Sequence, residues 1–135
     1  MSNQFQWPVR VYYEDTDAGG IVYHARYLYF LERARTEWLR EAGFNQSLLK
    51  QQNTIFVVRD MQIKWQQPAT LDELLTVITT VTQVKKASMV MAQTITCGHE
   101  QKMQASVTVA CVHGDTKKPM AMPDEIIKVI TDRDE

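Results

Sequence analysis

One long amphipathic segment stands ahead of four segments in which apolar and polar residues alternate, and that order restricts the fold more than any other feature of the chain. From about His24 to Ala42 the apolar residues Tyr27, Phe30, Leu31, Ala34 and Trp38 recur at helical spacing, while Arg26, Arg33, Arg35, Glu37, Arg40 and Glu41 fall mostly elsewhere. Gly43 follows as a C-terminal cap. At about 1.5 Å per residue such a helix is roughly 28 Å long, enough to cross the sheet of a small domain.

Period-two alternation marks the strands. Pro8 to Glu14 carries Val9, Val11 and Tyr13 on one parity and ends in the glycine-rich turn that precedes the helix. After a polar link, Thr54 to Trp65 places Ile55, Val57, Met61, Ile63 and Trp65 on one face and Asp60, Gln62 and Lys64 on the other. Leu74 to Val84, Ser88 to Cys97 and Met103 to His113 follow. The links around Lys85-Lys86-Ala87 and Gly98-His99-Glu100-Gln101 are short, so these strands are expected to pair as antiparallel hairpins. The expected fold is α+β: a five-stranded antiparallel sheet wrapped around one long helix, in a single domain spanning 1–135 with its core at about 8–123. A short helix, Asp124 to Ile130, opens the tail before a charged end. Tyr29 and Leu39, off the main helical stripe, together with open strand edges, predict self-association.

With 15 basic and 16 acidic residues the formal net charge is -1, so no overall field favours nucleic acid or an anionic membrane. Neither a nucleic-acid partner nor an integral membrane segment is expected, and with no charged-then-apolar N-terminal run the expected compartment is the cytosol. Cys97 and Cys111 are too few for a disulfide framework and read as small buried hydrophobes.

The chain has no GxSxG elbow, no P-loop and no GxGxxG following a strand, which weakens serine-hydrolase and nucleotide-binding readings. Asp15-x-Asp17-x-Gly19-Gly20 resembles the start of a calcium loop, but the twelfth position is Arg26 where a bidentate Glu is needed. The pairs Cys97-x-His99 and Cys111-x-His113 suggest zinc. With the hairpin turning near Glu100 and Gln101, Cys97 is expected opposite Gln104 and Cys111 opposite Val90, about 23 Å apart along the strands. Neither a shared metal nor a disulfide fits that spacing.

The loop Tyr13-Glu14-Asp15-Thr16-Asp17-Ala18-Gly19-Gly20-Ile21-Val22-Tyr23-His24 remains, with three carboxylates and a histidine. A loop running into a helix presents free backbone N–H groups and the positive end of the helix dipole to a developing oxyanion. Asp17 nearby is then available to attack or to deprotonate water. Crowding by Glu14 and Asp15 would raise a carboxyl pKa and the helix end would lower it, so sequence leaves the sign open. On residue chemistry alone, turn formation and capping come ahead of catalysis for Asp15 and Asp17, and His24 reads as a first-turn helix residue.

This loop resembles the signature of the 4-hydroxybenzoyl-CoA thioesterase family of hotdog proteins: an aromatic residue, then Asp-x-Asp-x-x-Gly-x-Val-aromatic before the long helix. The run Trp7-Pro8-Val9-Arg10-Val11-Tyr12-Tyr13 through Tyr23-His24-Ala25, with Glu32-Arg33-Ala34-Arg35-Thr36-Glu37, is most similar to the Tol-Pal-associated acyl-CoA thioesterases of Gram-negative bacteria. The resemblance continues through Phe56-Val57-Val58-Arg59 and Pro68-Ala69 to the last strand.

The resemblance implies a hotdog fold and hydrolysis of acyl-CoA to free acid and CoA. It implies that Asp17 is catalytic and that His24 supplies a backbone N–H to the thioester carbonyl, its imidazole also being implicated. Asp15 falls outside that role. The resemblance further implies an active site formed between subunits of a homodimer or homotetramer, no metal or redox cofactor, and a cytoplasmic enzyme with peripheral contact at the inner membrane. Hydroxybenzoyl-specific members carry Pro after the catalytic Asp and Tyr at the helix start; Ala18 and His24 here point to a short-chain or other aliphatic acyl group. Arg59, Lys85 and Lys86 are candidates for the CoA phosphates, with solvated surface charge as the equal alternative. An acyl carrier protein is a further expected partner. The rival readings are a non-catalytic acyl-thioester or carrier-protein adaptor and an acyl-thioester dehydratase.

Overall fold

The computed structural model describes residues 4–133. Its elements are β1 (Phe5–Arg10), a single 3-10 turn (Tyr13–Asp15), α1 (Arg26–Glu41), α2 (Gln46–Gln51), β2 (Thr54–Trp65), β3 (Leu74–Val84), β4 (Ser88–Cys97), β5 (Glu100–His113) and α3 (Asp124–Arg133). The five strands form one antiparallel sheet in the order β1-β3-β4-β5-β2. The expected α+β architecture, one long helix against a five-stranded sheet, is thus the one observed.

Hydrophobic periodicity explains how helix and sheet meet. Tyr27, Phe30, Leu31, Ala34 and Trp38 are all buried on α1, facing Leu75, Val77, Met89, Met91, Ile95, Met103 and Val107 of the sheet. Burying side chains the size of Phe30 and Leu31 contributes about 1.5–3 kcal/mol each. Leu39, expected outside the main stripe, is also buried, whereas Tyr29 stays half exposed. Gly43 donates its N–H to the Arg40 carbonyl at 3.0 Å and ends the helix where expected.

Several boundaries differ from the expectation for physical reasons. β1 ends at Arg10 rather than Glu14 because the Asp15 carboxylate accepts the Tyr12 N–H at 2.9 Å and bends the chain into the 3-10 turn. Pro8 is tolerated because β1 is an edge strand. The helix begins at Arg26, leaving His24 in the turn before it. The expected polar link contains α2, capped by the Asn45 side chain, which accepts the Leu48 N–H at 2.8 Å, and anchored by buried Leu49. α3 runs to Arg133 and plugs the core with Ile126 and Ile130. The last two charged residues, at 134 and 135, lie outside the described residues.

Two register expectations are corrected. A β-bulge at Arg59 shifts the β2–β5 pairing between Val58, opposite Val109, and Asp60, opposite Thr108. The extra residue reverses the parity, so Phe56 and Val58, not Ile55 and Val57, share the inward face with Met61, Ile63 and Trp65. The β4–β5 hairpin turns at Gly98 and His99, with Gly98 at φ 61, so Cys97 stands opposite Glu100, not Gln104. Cys111 lies beyond β4, opposite Phe56, and bonds through its N–H to the Ala87 carbonyl rather than pairing with Val90. Eleven residues of β5 then separate the two thiol levels, about 36 Å at 3.3 Å per residue, and both cysteines are free.

Candidate active site

The loop between β1 and α1 is held at both ends. Asp15 is buried, accepts the Tyr12 N–H through one carboxylate oxygen, and accepts Arg26 Nε at 2.9 Å and Nη2 at 2.8 Å through the other. Its carbonyl accepts the Tyr23 N–H at 2.9 Å. Asp15 is therefore a structural tie between the 3-10 turn and the first residue of α1. That Arg26 stands where a calcium loop needs its last carboxylate has a direct consequence: it neutralises the acid instead.

Inside that frame Thr16 bridges to Val22, making a small hairpin with Asp17 at the base of its tip. The Asp17 N–H donates to the Ile21 carbonyl at 2.8 Å, and its Oδ1 accepts the Gly19 N–H at 2.8 Å. Gly20 takes φ 82, a conformation that favours glycine. The second limb is pinned to the β2–β3 connection: Val22 donates to the Ala69 carbonyl at 2.8 Å, and Ile21 bridges to Thr70. The Asp17 side chain remains exposed to solvent.

His24 follows directly, in the turn before α1. Neither its amide nor that of Ala25 donates to an acceptor among the described residues, whereas the Tyr23 and Arg26 amides on either side are both bonded. Its imidazole centroid lies 4.6 Å from that of Tyr23 and 6.4 Å, edge-on, from that of Trp65. Trp65 in turn packs 5.0 Å from Tyr27. An open cavity of about 370 Å³ is lined by Ile21, Val22, His24, Tyr27, Trp65 and Pro68, together with Gln66 and Gln67. His24 is thus part of the cavity wall, and Asp17 sits in the adjoining hairpin rather than in the wall itself.

A residue that sequence reasoning missed organises the far wall. Lys102 is almost fully buried; its Nζ donates to the Pro68 carbonyl at 3.1 Å and pairs with Glu100 and, at 3.5 Å, with Glu73. Its own carbonyl accepts the Gln66 and Gln67 amides at 3.0 Å. Burial pushes the Lys102 ammonium down, but the hydrogen bond to Glu100 and the Glu73 charge more than offset it, leaving its pKa above the ordinary value. It is the extra residue of a β-bulge between the Ile95–Met103 and Thr96–Gln101 pairs, and the loop at Pro68 folds over it. Tyr27 completes the wall: its hydroxyl accepts the Ala69 N–H at 3.0 Å.

The candidate phosphate ligands are not gathered. Arg59 sits at the β2 bulge and Lys85 and Lys86 in the β3–β4 turn, all exposed. Across the sheet order, Arg59 stands three strand spacings from β3, about 14 Å at 4.8 Å each, and none of the three lines the His24 cavity. Among the described residues no group of three or more His, Cys, Asp or Glu is placed to hold a metal ion, and no helix is long and apolar enough to cross a membrane.

One long helix, α1, against a five-stranded antiparallel sheet, with an acidic hairpin feeding the helix start, is the architecture of the hotdog thioesterases. Residues 11–130 match the Thioesterase-like superfamily, and the chain belongs to that family. Among individual proteins it is similar to the acyl-CoA thioesterase YbgC of Haemophilus influenzae, with 50% identity over 127 residues that cover 93% of each chain. It is 47% identical to the acyl-CoA thioester hydrolase YbgC of Escherichia coli O6:H1 over 124 residues, covering 91% of this chain and 92% of that one. Of solved structures, the probable thioesterase of Bartonella henselae superposes with a TM-score of 0.86 at 40% identity, covering 89% of this chain and 99% of that one.

Proposed function

We propose that the protein hydrolyses acyl-CoA thioesters of aliphatic acids to the free acid and CoA, with Asp17 and the His24 amide as the reacting site. The observation that carries this reading is the unpaired His24 N–H at the cavity wall, immediately after a hydrogen-bonded hairpin that holds the Asp17 carboxylate. An amide with no internal acceptor suits the oxygen of a polarised thioester carbonyl.

Two routes use that arrangement. Asp17 attacks the carbonyl carbon, the C–S bond breaks, CoA leaves as thiolate, and water then cleaves the acyl-aspartyl anhydride. Alternatively Asp17 takes a proton from water, the hydroxide adds to the carbonyl, and the same C–S bond breaks. Label from oxygen-labelled water recovered in the Asp17 carboxylate after a single turnover assigns the first route.

Two copies pair through their β2 strands in this reading. β2 lies at the edge of the sheet, and Val57 and Val58 on it are 39% and 46% exposed. Antiparallel, two-fold pairing sets the Trp65 end of one β2 beside the Phe56 end of the other. Each His24 cavity then lies at the junction of two chains. On the resemblance to the Tol-Pal-associated enzymes, the place of action is the cytosol beside the inner membrane, with acyl-carrier-protein thioesters as a second acyl donor.

Purified protein assayed with acyl-CoA esters of graded chain length, read by release of free thiol, tests the proposal against Asp17→Asn. Wild type releases thiol and the variant does not. Equal, slow release by both, with acyl-CoA still bound, would sink it and favour a binding adaptor.

A further inference from the structure

A second cavity, of about 290 Å³, opens between α1 and the inner face of the sheet and shares no lining residue with the His24 cavity. Leu39, Phe56, Met89 and Met91 supply much of its apolar wall, and the thioether side chains suit an irregular alkyl guest. At about 30 Å³ per water-sized group the space holds roughly ten carbon-sized groups. The polar side chains Glu32, Arg35 and Thr36 of α1 stand in the same wall.

Arg35 is fixed rather than free. Its Nη1 donates to Gln93 Oε1 at 3.0 Å, and Gln93, itself fully buried, is locked because its Nε2 donates to the Leu31 carbonyl at 3.1 Å and to Thr79 Oγ1 at 2.9 Å. A guanidinium carries five N–H groups, and among the described residues Gln93 is the one hydrogen-bond acceptor for them, with no carboxylate in ion-pair range. Burial holds its pKa below the ordinary value, against the opposing charge of Glu32.

Glu32 and Thr36 line the same wall, yet neither accepts a hydrogen bond from Arg35, whose other guanidinium N–H groups have no acceptor among the described residues. A saturated hydrocarbon filling the cavity would leave those N–H groups unmet.

We infer that this cavity receives the far end of the acyl group and selects chains whose far end carries an acceptor oxygen, as a hydroxyl or a carboxylate. The inference rests on the thioesterase reading and on pairing through β2. Phe56 and Val58, both in the cavity wall, lie at the opposite end of β2 from Trp65. Antiparallel pairing therefore brings this cavity beside the His24 cavity of a second copy. The thioester is cleaved at one chain while the tail is read by the other.

The test compares kcat/KM for octanoyl-CoA, ω-hydroxyoctanoyl-CoA and octanedioyl-CoA on the purified protein. Expected is a preference of about 10-fold or more for at least one oxygenated chain, the scale of a hydrogen bond to a charged donor. The hydroxyl and carboxylate arms identify which oxygen is read. Arg35→Met moves that ratio several-fold toward unity, with unfolding midpoints measured alongside. Calorimetric binding of the same three thioesters to Asp17→Asn reads the preference without turnover, so failure of catalysis is distinguishable from failure of selection. Equal values for all three chains in the wild-type protein would overturn the inference and leave the Arg35 guanidinium to ordered water.

Discussion

Asp15 and Arg26 form an ion pair of 2.8 Å between the 3-10 turn and the first residue of α1, closing the acidic hairpin at its base. The carboxylate is almost wholly shielded and accepts three N–H groups, so loss of either partner strands a buried charge or its donors. Asp15→Asn is expected to lower stability by about 2–4 kcal/mol, which urea denaturation measures. Activity falls with it, because the hairpin carrying Asp17 loses its anchor.

A second tie binds α1 to the cavity wall. The Tyr27 hydroxyl accepts the N–H of fully buried Ala69, whose carbonyl in turn accepts the Val22 N–H. Tyr27→Phe keeps the ring against Trp65 but orphans that amide, at a cost of about 1–3 kcal/mol. Hydrogen exchange at Ala69 and Val22 checks it: both amides exchange faster in the variant than in the wild type.

What sequence made legible depended on whether a signal was local. The α1 stripe and the limits Thr54–Trp65, Leu74–Val84 and Ser88–Cys97 are carried by side-chain periodicity, and the structure reproduces them. The bulge at Arg59 is a property of pairing with β5, and no pattern within β2 announces it. Lys102 and Arg35 look like surface cations because what holds them, the loop around Pro68 for Lys102 and the buried Gln93 side chain bonded to Arg35, is remote in sequence. The motif loop was recognisable as a site by its residues. That Asp15 serves structure while Asp17 stays exposed follows from the position of Arg26, eleven residues on.

The Glu73–Lys102 pair sets a pH window. Burial raises the Glu73 carboxyl, but the Thr70 N–H and the Lys102 charge outweigh it, leaving its pKa below the ordinary 4.5. Its contribution to stability is therefore present above 4.5 and lost as pH falls through the depressed value. Lys102, raised above 10.5, contributes fully below that pH and loses its contribution as pH rises through the raised value. Urea midpoints across pH should show a plateau bounded by both limits, and Glu73→Gln should flatten the acid limb.

Asp17 separates catalysis from structure. Its Oδ1 accepts the Gly19 N–H, and the amide oxygen of Asn accepts the same bond, so Asp17→Asn is expected to unfold within about 0.5 kcal/mol of wild type. The amide is neither a base nor a nucleophile, and kcat should fall by about 10²–10⁴-fold. Gly20→Ala is the converse case: at φ 82 a Cβ costs roughly 1–2 kcal/mol while the Asp17 side chain is unaltered. Measured side by side, the first variant should lose turnover without stability. The second should lose stability and retain more turnover than Asp17→Asn; if their kcat losses match, the hairpin's shape rather than the Asp17 carboxylate limits the reaction.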